Sequence, residues 1–180
     1  RQAPTPARSR RPTDDESERL LHSVGYSRET PPETISSRVG AAYLVAIVTV
    51  MRAGELCSLE WRYVNERHVH LPRTKNGHVR DVPLSVEARR IIEQLRSLTG
   101  DEETVFGVST ASLDALFRKA KRLALIEDLH FHDTRREALT RLSKVFDVME
   151  LARISGHRDL RVLQNVYYAP SVKDLADKLG

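Results

Sequence analysis

The chain has 180 residues, of which 40% are hydrophobic and 30% charged, a composition typical of one globular domain with its own core. Its single cysteine, Cys57, excludes an internal disulfide, and its longest apolar stretch, residues 39–51, is shorter than the roughly 20 residues that a membrane-spanning helix needs. No charged-then-apolar signal segment opens the chain, so we expect a cytoplasmic protein without a membrane partner.

The positive charge is distributed unevenly. Lys and Arg number 29 against 25 Asp and Glu, but four arginines lie in residues 1–12, and removing them leaves 25 against 25. Net charge is therefore weak evidence for a nucleic-acid partner, and the case depends on local clusters. Basic residues gather at residues 73–80, 118–122 and 132–161.

Residues 1–12 have the composition of a linker. They contain three prolines, four arginines and no large apolar side chain, so they cannot bury enough surface to offset the entropy of ordering. We expect one domain over residues 13–180, preceded by a linker from an N-terminal DNA-binding domain. An ordinary frayed terminus explains residues 1–12 equally well.

Helical patterns account for most of the remaining chain. Residues 13–16 have the spacing of a capping box and begin a short helix that ends near Gly25. Residues 35–51 are apolar almost all round the helical wheel, which predicts a central buried helix, and Leu56, Leu59 and Trp61 continue a shorter helical pattern. Later helices are predicted at residues 85–98, around 113–120, and at 133–142, 148–155, 159–167 and 172–179.

Residues 68–84 show a different pattern. Apolar and polar residues alternate on both sides of Asn76-Gly77, a strong signal for a tight turn between two strands. The sequence therefore predicts a mainly α domain with one small β-hairpin, an α+β fold, and places basic residues at the hairpin tip.

Two candidate sites combine basic side chains with a helix end. His132 and Arg135 are three residues apart at a helix start, where backbone N–H groups favour an anion, although a solvated helix face has the same pattern. His157 follows Gly156 where a helix ends, so its ring contacts either an anion or the helix C-terminus.

Further candidates are isolated along the chain. Arg52 follows an apolar helix and needs a partner, either Glu55 one turn later or a bound phosphate. Lys75 lies at the hairpin tip, where an ammonium group is either solubilising or available as a general acid. Tyr167 and Tyr168 are by default buried tyrosines.

The order and spacing of these residues resemble the catalytic domain of the tyrosine recombinases, the phage-type integrases. The resemblance extends from about Pro12 through nearly the whole chain. It rests on the segments Met51-Arg52-Ala53-Gly54-Glu55-Leu56 with Leu59-Glu60-Trp61, Thr74-Lys75-Asn76-Gly77 with Arg80-Asp81-Val82-Pro83-Leu84, Phe131-His132-Asp133-Thr134-Arg135, and Ser155-Gly156-His157 with Tyr167.

The resemblance implies an enzyme that cuts and rejoins DNA at specific sites through a 3′-phosphotyrosine intermediate. It implies no metal and no other cofactor, and it leaves integration, excision, inversion and resolution open. The catalytic set that it implies consists of Arg52, Lys75, His132, Arg135, His157 and Tyr167.

Two departures from the family pattern stand out. Tyr167 follows His157 by ten residues, one more than is usual in the family. We choose Tyr167 as the nucleophile, because the amino-acid sequence after it resembles that of members which use the first tyrosine of a pair. Tyr168 is kept as the alternative nucleophile. Arg136 occupies a position where many relatives carry histidine, a change that we expect to be tolerated.

The family works on double-stranded DNA as a tetramer that holds two sites, and its C-terminal segment commonly docks on a neighbouring protomer. An apolar stripe at Val172, Leu175, Ala176 and Leu179 suits such docking or packing on its own domain. We expect a bacterial or phage-encoded protein associated with the nucleoid.

Candidate DNA-phosphate contacts are Arg73, Arg80, Arg118, Lys119, Lys121, Arg122 and Arg158, each of which also fits plain surface solvation.

Two other functions remain open from the sequence. A DNA-binding protein with the same fold that does not cleave is the first, although all six catalytic residue types are present. A type IB topoisomerase-like nicking enzyme is the second, since it shares the chemistry but does not exchange strands between duplexes.

Overall fold

The computed structural model describes residues 9–72, 79–168 and 172–179, apart from the side chain of Asp174. It confirms the predicted mainly α fold with one small antiparallel hairpin. The elements are α1 (Asp14–Ser23), α2 (Ile35–Thr49), α3 (Ala53–Cys57), a 3₁₀ turn (Trp61–Tyr63), β1 (His68–Leu71), β2 (Arg80–Pro83), α4 (Val86–Thr99), α5 (Thr110–Leu123), α6 (Asp133–Leu142), α7 (Val148–Ser155), α8 (Leu160–Tyr167) and α9 (Val172–Asp177).

Side-chain caps explain why several helices begin where the sequence predicts. Thr13 and Glu16 form the expected reciprocal capping box at α1. Ser85 accepts a hydrogen bond from the Ala88 N–H at the start of α4, at 3.1 Å. At the other end of α7, Gly156 takes the left-handed conformation that closes a helix, with φ 74°.

Helix α2 is the centre of the core. Every residue from 39 to 47 is buried, because α1, α3, α4, α5 and α6 all pack around this helix. The ring of Tyr43 lies 6.0 Å from that of Phe117 and 6.4 Å from that of Phe131, centroid to centroid. Its hydroxyl is hydrogen-bonded to Ser17 at 2.9 Å, so the polar group buried with the ring is satisfied.

Helix α2 ends two residues earlier than the apolar pattern predicts. Val50 adopts a left-handed conformation, with φ 59°, although its side chain is fully buried. A β-branched residue disfavours this conformation, at a cost of about 1–3 kcal/mol. The reversal at Val50 separates α2 from α3 and directs the chain into Arg52.

The β-hairpin pairs β1 with β2, with His68 opposite Pro83 and Leu71 opposite Arg80. The predicted Asn76-Gly77 turn lies outside the described residues. Along β2, burial alternates so that Arg80 and Val82 face the interior, and this strand packs against α7. The hairpin is thereby attached to the same helix that precedes His157.

The predicted linker differs from the structure at its C-terminal end. Pro12 is buried, and Arg10 forms an ion pair with Glu16 in α1 and donates to the Glu127 carbonyl. Residues 9–12 therefore pack against the domain, because Arg10 and Pro12 find partners that composition does not reveal.

Within the described part of the chain, no helix has the length and apolar character needed to cross a bilayer.

Candidate active site

Arg52 is held by a carboxylate in the first turn of α3. Glu55 accepts the Arg52 backbone N–H at 2.8 Å, and one guanidinium nitrogen of Arg52 lies 3.2 Å from the other carboxylate oxygen. Glu55 is buried, whereas the Arg52 side chain is 24% exposed. The nearby partner considered from the sequence is confirmed, and the exposed part of the guanidinium remains accessible to an anion.

Arg80 corrects a prediction. The sequence suggested a surface contact to DNA, but the side chain is only 5% exposed and holds both oxygens of Glu55, at 2.7 and 2.8 Å. Its Nε donates to the Ile154 carbonyl at 2.9 Å. With three of its five N–H groups used inside the protein, the buried Arg80 side chain links β2 to α3 and α7 and does not lie on the surface.

Arg135 is buried in the first turn of α6. One terminal nitrogen donates to the Val50 carbonyl, and the other donates to the Ser155 carbonyl at 2.6 Å. The left-handed backbone of Val50 thus presents its carbonyl oxygen to Arg135. Two main-chain oxygens from distant elements hold this guanidinium in place.

His157 lies beside these arginines. The left-handed Gly156 turns the chain out of α7, and the Ser155 hydroxyl then contacts the His157 Nδ1 at 2.6 Å. Burial lowers the pKa of His157 to about 4, and the positive charges of Arg135 and Arg52 add to this effect. The imidazole is therefore neutral at pH 7.

The cluster carries excess positive charge. Glu55 holds Arg52 and Arg80, while Arg135 is held by main-chain carbonyls. Burial would raise the pKa of Glu55, but hydrogen bonds from Arg80 and Arg52 lower it. Burial, followed by the charges of Arg52 and Arg80, lowers the pKa of Arg135 to about 9. Bringing an anion such as a phosphate into the cluster would relieve this repulsion.

The two tyrosines at the end of α8 have opposite surroundings. Burial raises the pKa of the Tyr167 phenol, while the positive charges of Arg136 and Arg135 lower it. The Tyr168 hydroxyl instead donates to the Phe146 carbonyl at 2.5 Å, and the charges of Asp147 and Glu150 reinforce burial in raising its pKa. Tyr167 therefore lies within electrostatic reach of the cluster.

The remaining candidate residues are His132, Lys75, Arg73 and Arg158. His132 is exposed immediately before α6, one turn from Arg135. Lys75 and Arg73 lie outside the described residues. Arg158, which follows His157, is exposed.

The basic residues of α5 lie elsewhere. This helix packs on α1, α2 and α3, and its C-terminal end borders a cleft of about 540 Å³. Arg118 forms an exposed ion pair with Asp114 at 3.1 Å. The cleft is lined by Arg118, Lys121 and Arg122 together with Leu125, Ile126 and Glu127, while Lys119 is exposed on the same helix.

Residues 9–72, 79–168 and 172–179 contain no group of three or more His, Cys, Asp or Glu side chains placed to hold a metal ion. The polar groups that meet instead are guanidinium, imidazole and phenol, which bind or attack anions.

Sequence reasoning missed several contacts of the site. The dual role of Glu55 was invisible, because its second partner, Arg80, is 25 residues away. The contact between Arg136 and the Tyr167 ring was also missed. One signal was available: Arg80 is two residues from the apolar Val82, and strand alternation places both on one face.

Comparison with known proteins shows what the chain resembles. Residues 10–173 match the phage integrase family. A Haemophilus influenzae protein named as an integrase/recombinase is 54% identical over 149 residues, which cover 82% of this chain and 49% of the relative. A shufflon-specific DNA recombinase of Escherichia coli is 40% identical over 162 residues, or 87% of this chain and 39% of the relative.

A solved structure shows the same fold. A lambda integrase tetramer bound to a Holliday junction superposes with a TM-score of 0.67 at 18% identity, covering 96% of this chain and 52% of that one. The chain spans about half the length, or less, of the curated relatives described above.

Proposed function

The chain belongs to the phage integrase family, and we propose that it is the catalytic part of a site-specific recombinase that cuts and rejoins double-stranded DNA through a 3′-phosphotyrosine. The observation that carries this proposal is the convergence of Arg52, Arg135 and His157, because Arg135 donates to the carbonyls of Val50 and Ser155, which lie two residues before Arg52 and two residues before His157. A phosphodiester is an anion that gains further charge on its non-bridging oxygens in the transition state, so cations and N–H donors suit this chemistry.

In the proposed first step, the Tyr167 oxygen attacks the scissile phosphorus and the bond to the 5′-oxygen breaks. Arg52 and Arg135 bind the non-bridging oxygens, and His157 adds one hydrogen bond. We assign the tautomer in which the Ser155 hydroxyl donates to Nδ1 and the ring proton of the neutral His157 is carried by Nε2, which is then a donor.

Two proton transfers complete the step. His132 accepts the phenol proton, and Lys75 protonates the departing 5′-oxygen, which is otherwise a poor leaving group. The phosphotyrosine keeps the energy of the phosphodiester, so a 5′-hydroxyl of a partner strand reverses the attack and completes an exchange.

The buried donors of Arg80 and the Tyr168–Phe146 hydrogen bond support this division of roles. Arg80 positions Glu55 and, through it, Arg52. Tyr168 has its hydroxyl committed to a carbonyl on the side of Asp147 and Glu150, so Tyr167 is the nucleophile that we propose.

We further propose a homotetramer on two DNA sites in the bacterial cytoplasm, associated with the nucleoid. The lambda integrase tetramer on a Holliday junction supports this assembly, and the shufflon-specific relative supports site-specific recombination. Integration, excision and inversion of a DNA segment are the outcomes to test. The exposed cations of α5 and Arg158 are the proposed contacts to flanking phosphates. A DNA-binding domain before residue 13 remains a prediction.

The decisive experiment captures covalent adducts. The full-length protein is expressed in its host, the cells are lysed in denaturing detergent, and DNA attached to the protein is sequenced. We expect adducts at a small number of sequences, with the protein joined to a 3′-phosphate, and duplexes built from those sequences with a nick near the cut should trap the adduct in vitro.

The outcomes separate the three functions considered. A protein that binds DNA without forming adducts is not a recombinase. A protein that forms adducts and relaxes supercoiled DNA, but never joins strands of two duplexes, is a nicking enzyme. Sequencing the recombined junctions then distinguishes inversion from integration and excision.

A further inference from the structure

A second basic cleft borders Tyr167. It has a volume of about 430 Å³ and lies between the start of α6, the turn after α6, the end of α8 and the chain before α1. We call it the Tyr167 cleft. Its lining includes Arg11, Arg136, Lys144, Ser9, Thr140 and Tyr167.

Two cations of the Tyr167 cleft have no carboxylate partner among the described residues. Neither Arg136 nor Lys144 forms an ion pair there, whereas the nearby Arg141 is paired with Glu137 at 2.7 Å. The third cation, Arg11, lies 3.5 Å from a Glu137 oxygen. No carboxylate lines the cleft. The cleft is therefore a positive concavity suited to an anion.

Arg136 connects the cleft to the candidate nucleophile. Its guanidinium carbon is 5.8 Å from the centroid of the Tyr167 ring, within the range of a cation–π contact. The preceding residue, Arg135, belongs to the cluster with Arg52 and His157. The Tyr167 ring thus contacts the arginine that is adjacent in sequence to this cluster.

The position of Arg11 is set by its neighbours. Arg10 pairs with Glu16, and Pro12 is buried, so residues on both sides of Arg11 are attached to the domain. The cleft is consequently built by contacts from the N-terminal segment as well as by α6 and α8.

We infer that the Tyr167 cleft binds a second DNA phosphate, next to the one that Tyr167 attacks, and that Arg136 both contacts this phosphate and positions the Tyr167 ring. The inference rests on the proposed function. Successive phosphates of one strand follow each other every base pair, about 3.4 Å along the duplex axis, so a cleft that borders the nucleophile lies beside a neighbour of the phosphate under attack. The arginine at position 136, which departs from the family pattern, thereby acquires a role.

Neutral phosphate analogues test this inference. The full-length protein is given duplexes of its target in which single phosphates flanking the scissile one are replaced by methylphosphonates. We expect one neighbouring position at which the substitution weakens binding and cleavage by the wild type about tenfold. In the double variant Arg136→Gln/Lys144→Ala, the same substitution should change either quantity less than about twofold, because the contact is already lost.

Two controls sharpen the result. Arg153→Gln removes an exposed cation of α7 and should keep the wild-type response at that phosphate. Arg136→Lys retains a charge and should restore part of the phosphate sensitivity, which loss of structure alone would not do. Melting temperatures check that all the variants are folded.

Equal sensitivity of the wild type and the double variant at every flanking phosphate would overturn the inference. Affinity is also measured on duplexes of the DNA that co-purifies with the protein, with a methylphosphonate at each phosphate in turn, so the cleft is tested even if no adduct forms. Intact affinity without any adduct refutes the proposed function alone, and failure to bind DNA refutes both.

Discussion

Arg80 and Glu55, from different elements, form a buried bidentate ion pair with nitrogen–oxygen distances of 2.7 and 2.8 Å. The same carboxylate holds the backbone N–H of Arg52. One anion therefore connects the β-hairpin to the residue proposed to bind the scissile phosphate. This arrangement makes the pair important for stability as well as for the site.

Removing Arg80 should destabilise the fold. In Arg80→Met, Glu55 loses a buried cationic partner, and we expect the free energy of unfolding to fall by about 3 kcal/mol or more, as measured by denaturant titration. The control is Arg62→Met, which breaks an ion pair of similar length to Glu60 on a side chain that is 67% exposed, and which should cost less than about 1 kcal/mol. If the free energy of unfolding falls by similar amounts in the two variants, the buried ion pair contributes no more to stability than the exposed one.

Phenylalanine variants of the two tyrosines should differ in whether they form the covalent adduct. Tyr167→Phe should abolish the covalent adduct on a nicked substrate and leave DNA affinity nearly unchanged, because only the attacking oxygen is lost. Tyr168→Phe removes the hydrogen bond to the Phe146 carbonyl and should cost roughly 1 kcal/mol of stability while still forming the adduct. The reverse pattern would assign Tyr168 as the nucleophile.

His157 should make stability depend on pH. Its pKa is about 4 in the folded chain against 6.5 ordinarily, so both states are neutral above pH 6.5. Between 6.5 and 4 the unfolded chain takes up the proton more readily, and this stability is lost as the pH falls. Relative to His157→Gln, the wild type should lose on the order of 2 kcal/mol between those limits in denaturant titrations. A difference that does not change with pH would contradict the burial of the ring.

Helix α9 offers a test of assembly. Val172, Leu175 and Leu179 are 83%, 48% and 88% exposed, so nothing in the described chain covers them fully. If they dock on a neighbouring protomer, Leu175→Asp should weaken assembly on DNA by about tenfold or more without lowering the melting temperature, since a buried leucine contributes about 1.5–3 kcal/mol. Val86→Asp, on a more open position of α4 that is 73% exposed, should leave assembly unchanged.

Local signals explain why so much of the fold could be predicted. Thr13 and Ser85 cap helices, and Gly156 ends one, through contacts within a few residues. The all-round apolar pattern of α2 correctly indicated a central helix, because burial on every side leaves no polar face.

Contacts between distant residues explain what the sequence could not show. Val50 is apolar and fits a helical pattern, so nothing local indicates its left-handed turn. Nothing local indicates that the guanidinium carbon of Arg136 lies 5.8 Å from the centroid of the Tyr167 ring. Periodicity indicates which face is buried but not which partner covers it.

The carbonyl oxygens of Val50 and Ser155 occupy two of the five N–H groups of Arg135. Their positions belong to the main chain, so the direction of the other three is set when the protein folds and not when a substrate arrives. A guanidinium held in this way loses little conformational entropy on binding, which leaves more of its interaction energy for the phosphate that we propose it binds. The left-handed turn at Val50 thus preorganises the proposed phosphate site at the expense of fold stability.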